Sequence, residues 1–78
     1  MDKNEKLKEE FILLGKHIKK LREERSLTLD ELAEKTGIKA QYLDKIEKGT
    51  AIRITVFRHL LRLAIAFKIE LTDILKFR

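Results

Sequence analysis

The chain has no cysteine, no proline and no tryptophan, and only three glycines (Gly15, Gly37 and Gly49) in 78 residues. Without cysteine there is no disulfide framework, no thiol nucleophile and no Cys-based zinc site. So few turn-forming residues exclude a small β-sandwich or barrel, which needs many tight turns. No uncharged run approaches the ~20 apolar residues of a membrane span. Asp2, Glu5, Glu9 and Glu10 stand among the first lysines, where a signal peptide would be apolar. The expectation is one soluble, cytoplasmic, all-α domain over residues 1–78. A chain this short buries only about 60% of its unfolded surface, so its stability is modest and often shared with a partner subunit.

What the chain does have is charge, and it is unevenly placed. The net charge is +5. Residues 1–36 carry nine Lys/Arg and nine Asp/Glu; residues 37–78 carry nine and four, so the whole excess lies in the second half. Within 39–62 the balance is six basic against two acidic. Such a local excess suits an anionic polymer.

Apolar spacing gives the elements. Leu7, Phe11, Leu14, Ile18 and Leu21 repeat every three or four residues and predict a helix from about Glu5 to Glu24. Thr28-Leu29-Asp30-Glu31 reads as a capping box opening a short helix that Gly37 ends. Tyr42, Leu43 and Ile46 mark a third helix over about 39–48, stopped by Gly49. The short gap before it, with Gly in the turn, is helix–turn–helix spacing. Ile52, Ile54 and Val56 alternate with Arg53 and Thr55, a weak strand signal with no second strand to pair. A fourth helix, N-capped by Thr55 and reaching about Lys68, is apolar almost all round. It is central to the core or half-covered by another subunit. A last helix over about 71–76 packs back through Leu71, Ile74, Leu75 and Phe77.

Catalytic chemistry finds no foothold. His17 and His59 lie on different helices, each beside Lys or Arg, with no nucleophile or paired carboxylate near in sequence. His17 is expected at the surface. No metal-ligand spacing occurs, and no Gly-rich loop cradles a phosphate, so neither metal nor cofactor is expected. Glu9–Glu10 and Glu23–Glu24 are adjacent pairs that point to different sides of a helix.

Residues 14–75 resemble the lambda-repressor-like, or Xre-family, helix–turn–helix domain. The resemblance rests on Leu14-Gly15-Lys16-His17-Ile18-Lys19-Lys20-Leu21-Arg22 and on the run from Leu27 to Ile38. It continues through Tyr42-Leu43-Asp44-Lys45-Ile46-Glu47-Lys48-Gly49 and Leu60-Leu61-Arg62-Leu63-Ala64. It implies a compact five-helix domain with a core over about 14–75 and a helical extension over 1–13. The third helix would be the recognition helix, entering the major groove of double-stranded DNA by its N-terminal end. Lys39, Ala40, Gln41, Asp44 and Lys45 would face base edges. In chemical terms Gln41 suits adenine, Lys45 guanine, Ala40 a thymine methyl and Asp44 cytosine, unless Asp44 pairs with Lys48 instead. Thr28, Lys48, Thr50 and Arg53 would meet phosphates. Arg22 and Glu47 would form a partly buried ion pair tying the first helix to the third.

The chain departs from the family pattern in places. Leu29 stands where a phosphate-binding Gln is common. Lys39 replaces a Ser or Thr N-cap worth about 1 kcal/mol. The loop after Gly49 is longer and carries Ile52 and Ile54, and Ile65 stands where Lys is common. Ile65, Ile52 and Ile54 are therefore candidate interface residues, either for a homodimer or for a co-encoded protein partner; Ile52 or Ile54 could equally fold into the monomer core. The leading expectation is a sequence-specific transcriptional regulator, a repressor acting as a homodimer. The alternatives are the antitoxin of a toxin–antitoxin pair and a restriction–modification controller protein.

Overall fold

The computed structural model describes residues 3–51 and 56–77. They form five helices and no strand: α1 (Lys3–Glu24), α2 (Leu29–Thr36), α3 (Ala40–Lys48), α4 (Val56–Phe67) and α5 (Leu71–Ile74). The alternation from Ile52 to Thr55, the Thr55 cap and Arg53 lie outside the described residues. The first helix starts two residues earlier than its apolar repeat suggests. The last is shorter than expected, ending at Ile74.

Local chemistry sets most boundaries. The Thr28 hydroxyl accepts from the Glu31 amide at 3.0 Å, and the Glu31 carboxylate accepts from the Thr28 amide at 2.9 Å. These two bonds satisfy amides that the first turn of α2 would otherwise leave unpaired. Gly37 and Gly49 close α2 and α3 in the left-handed conformation, at φ 74° and 77°. Lys39 precedes α3 in an extended conformation and caps nothing with its side chain.

The core is made by Leu14, Ile18, Leu32, Ile38, Leu43, Ile46, Leu60, Leu63, Ala64, Phe67 and Ile74, with contributions from all five helices. Leu29 is half-buried and packs against it, so the place of a family Gln is taken by a side chain turned partly inward. Arg25 joins two helix ends. Its guanidinium donates to the Leu21 carbonyl at 2.8 Å and to the Phe67 carbonyl at 3.3 and 3.4 Å, and lies 4.9 Å from the Phe67 ring centre. A cation placed on two sets of terminal carbonyls complements both helix dipoles. His17 is not the surface residue expected from sequence. It is half-buried, and its Nε2 donates to the Asp73 carbonyl at 2.9 Å, fastening α1 to α5. The proximity of α5 is what covers it.

Candidate nucleic-acid interface

Three residues, Gly37 to Lys39, separate α2 from α3. Ile38 anchors this turn: its side chain is buried and its amide donates to the Thr36 hydroxyl at 3.2 Å. Leu43, Ile46 and Glu47 turn α3 inward, and all three are buried. Tyr42 is half-buried at the rim, its ring edge-on to His59 at 5.0 Å. The opposite face is therefore left to Gln41, Lys45 and Lys48, which are exposed at helical spacing, with Lys39 exposed just ahead of them. Ala40 and Asp44 are half-buried between the two faces. Asp44 pairs with Lys48 at 2.8 Å, leaving Lys45 as the cation nearer the start of the helix.

The electrostatics at the start of α3 are one-sided. No acidic residue lies in its first turn, no side chain caps it, and Lys39 adds a positive charge there. Free amides and a dipole end of the same sign make this an anion-seeking helix start. The start of α2 differs. Asp30 and Glu31 lie in its first turn, and the Thr28 hydroxyl and amide are both committed to Glu31. Thr50 is exposed, but its hydroxyl donates to the Lys45 carbonyl at 3.2 Å, closing the end of α3.

The back of α3 is held by α1. The Arg22 Nε donates to Glu47 at 2.7 Å and a terminal nitrogen donates at 3.1 Å, a bidentate pair. Arg22 also donates to the Leu27 carbonyl at 2.7 Å. The bond to Glu47 raises the Arg22 pKa above its ordinary value, against the opposing effect of burial. A Cβ on Gly15 would lie 2.5 Å from the Glu47 carbonyl oxygen and closer still to that of Ile46, so only glycine lets α1 cross here. The exposed face of α3 is thus presented by a helix gripped along its far side.

A model of the helix-turn-helix family matches residues 18–74. The chain belongs to this family. Its type is the Xre, lambda-repressor-like one, and α2 and α3 are its helix-turn-helix. It is a DNA-binding domain of the kind found in transcriptional regulators. Among solved structures, the restriction-modification controller protein C.AhdI from Aeromonas hydrophila is similar, at 26% identity and a TM-score of 0.74. The alignment covers 82% of this chain and 94% of that one. A search of curated proteins gives no match.

Two further surfaces of the helix-turn-helix domain bear on function. Ile65 is 77% exposed, and Phe57 and Leu61, at 59% and 41%, precede it by eight and four residues. The three therefore form one apolar stripe along α4. The repeat of four is present in the sequence. It is hidden there because the other face of α4 is equally apolar, and only packing tells the two apart. Ile52 and Ile54 lie outside the described residues. Where α3 meets α4, the Tyr42 hydroxyl and His59 Nδ1 are buried with no hydrogen-bond partner among the described residues. Burial, and then the charges of Arg62 and Arg58, lower the His59 pKa. Among the described residues no cluster can hold a metal ion, and no helix is long and apolar enough to cross a membrane.

Proposed function

We propose that this chain is a sequence-specific transcriptional repressor that reads the major groove of double-stranded DNA with α3. The observation that carries this reading is the exposed face of Lys39, Gln41 and Lys45 at the uncapped start of α3. Gln41 can bond both edge groups of adenine, and Lys45 can donate to guanine. Ala40, half-buried, can meet a thymine methyl. Asp44, held by Lys48, braces the face more than it reads. Lys48, Thr50, Arg53 and the amides at the start of α2 beside Thr28 would position the domain on phosphates. Arg22 and Glu47 keep α3 in register.

The repressor acts as a homodimer through the Phe57, Leu61 and Ile65 stripe of α4. Exposed apolar residues in one row favour an interface, and a two-fold dimer suits a palindromic site. Similarity to a restriction-modification controller protein favours that role as a second reading. It shares the same DNA chemistry and differs in the genes controlled.

Fluorescence anisotropy with random duplex and with upstream intergenic DNA tests base readout. Binding to one duplex that survives added salt, and falls at least tenfold in the Gln41→Ala, Lys45→Ala double variant, is expected. Equal binding to both that collapses with salt would reduce the interaction to phosphate attraction. Sedimentation of Ile65→Lys tests the dimer. The variant should run as a folded monomer where the parent runs as a dimer; a parent that is monomeric at every concentration refutes the stripe as a self-interface.

A further inference from the structure

The helix α1 starts at Lys3, well ahead of the matched residues 18–74. At Ile12 it passes over the end of α3. Ile12 packs on Gly49 so closely that a Cβ on Gly49 would lie 2.7 Å from the Ile12 Cα. Together with the Gly15 crossing, this fixes the extension against the turn that follows the recognition helix. One helical turn before Ile12 stands Lys8.

Lys8, Ile12, Lys48, Gly49 and Thr50 line one open groove of about 320 Å³. Both lysines are exposed, and among the described residues no acidic side chain lines the groove. The groove is continuous with the surface already assigned to phosphate through Lys48 and Thr50. Its chemistry fits one occupant: two ammonium groups for phosphate oxygens, and Ile12 for the carbons of a sugar.

We propose that this groove takes the DNA sugar–phosphate backbone and that Lys8 is a phosphate contact outside the helix-turn-helix. The extension over residues 3–13 thereby widens the footprint of the domain. This inference rests on the DNA-binding reading but not on base readout, because a phosphate contact is blind to sequence. Lys48 is shared between Asp44 and the incoming phosphate, so Lys8 supplies the second charge of the site.

Counterion release gives the test. Each phosphate neutralised contributes about 0.9 to the slope of log affinity against log salt on duplex DNA. The full chain is titrated with a random-sequence duplex at several salt concentrations, with circular dichroism confirming that each variant is folded. Lys8→Ala should make the slope shallower by about 0.9, and Lys8→Arg should restore it. Lys6→Ala, which removes a lysine paired with Glu10 on the same helix, should leave the slope unchanged. An unchanged slope in Lys8→Ala overturns the proposal. So does an equal loss in Lys6→Ala, which would mean a diffuse charge effect, and so does a parent chain that fails to bind the random duplex at low salt. Loss of base readout alone would show instead as a Gln41→Ala, Lys45→Ala variant that binds like the parent while the Lys8 effect persists.

Discussion

Glu47 is held by Arg22 through two parallel hydrogen bonds, between residues 25 apart in the chain, and both side chains are largely withdrawn from solvent. The pair joins the helix that braces the site to the helix that makes it. A carboxylate in this position acts on α3 from behind and has no access to DNA.

Removing one partner of a buried pair costs more than the pair contributes, because the survivor stays charged and unpaired. Glu47→Ala is expected to destabilise the fold by roughly 3–5 kcal/mol. Replacing both Arg22 and Glu47 with apolar residues of similar volume should cost less than Glu47→Ala alone. Urea unfolding midpoints of the single and double variants measure this; a double variant less stable than Glu47→Ala contradicts it.

Gly15→Ala sets two effects against each other. In an exposed helix interior the change would stabilise by about 1 kcal/mol. Here the added Cβ meets the carbonyls of Ile46 and Glu47, which are backbone and cannot swing away. Overpacking of this kind costs about 1–3 kcal/mol or more. The clash wins, so the melting temperature should fall by several degrees or more, as ~1 kcal/mol is worth about 4–8 °C in a domain of this size. A higher melting temperature would show that α1 and α3 separate freely.

The α2 cap makes stability pH-dependent in acid. Its hydrogen bonds to the Thr28 amide and hydroxyl lower the Glu31 pKa below its ordinary 4.5. A lowered carboxylate pKa contributes stability that is present above the unfolded value and lost as pH falls through the folded one. Glu31→Gln should therefore flatten the stability profile below about pH 4.5 and leave the profile near neutrality parallel to the parent's. Chemical denaturation across that range reads the difference; identical acid limbs would remove the cap from the account.

His59 acts in a higher window. Burial, then Arg62 and Arg58, lower its pKa below 6.5, so the folded chain prefers the neutral ring. The unfolded chain then binds more protons just below pH 6.5, and stability falls as pH drops from there toward the folded value. His59→Phe keeps a ring against Tyr42 and should abolish that segment of the profile. Denaturation midpoints of parent and variant between pH 7.5 and pH 5 decide it, and a difference that is constant with pH would refute the assignment.

Much of this architecture is local and therefore legible in sequence. The capping box needs only Thr28 and Glu31, three residues apart. Gly37 and Gly49 end helices because their own backbones turn left-handed. Tyr42, Leu43 and Ile46 fix the inward side of α3, and that leaves Gln41 and Lys45 outward. These features depend on neighbours within one or two turns, and a linear reading contains all their terms. Other features depend on where helices meet, and no short-range pattern encodes that. His17 looks like one more polar residue between lysines until α5 brings the Asp73 carbonyl to it across 56 positions. Gly15 looks like a weak point in a helix until α3 lies against it. The two faces of α4 are equally apolar in sequence, and only packing buries Leu60, Leu63 and Phe67 while leaving Phe57, Leu61 and Ile65 to solvent. The sequence by itself determined five helices, the capping box of α2, the glycines that end α2 and α3, and the exposed face of α3. The tertiary structure alone decided which buried partners hold that face in place and which apolar surface stays open, because both follow from contacts between segments far apart in the chain.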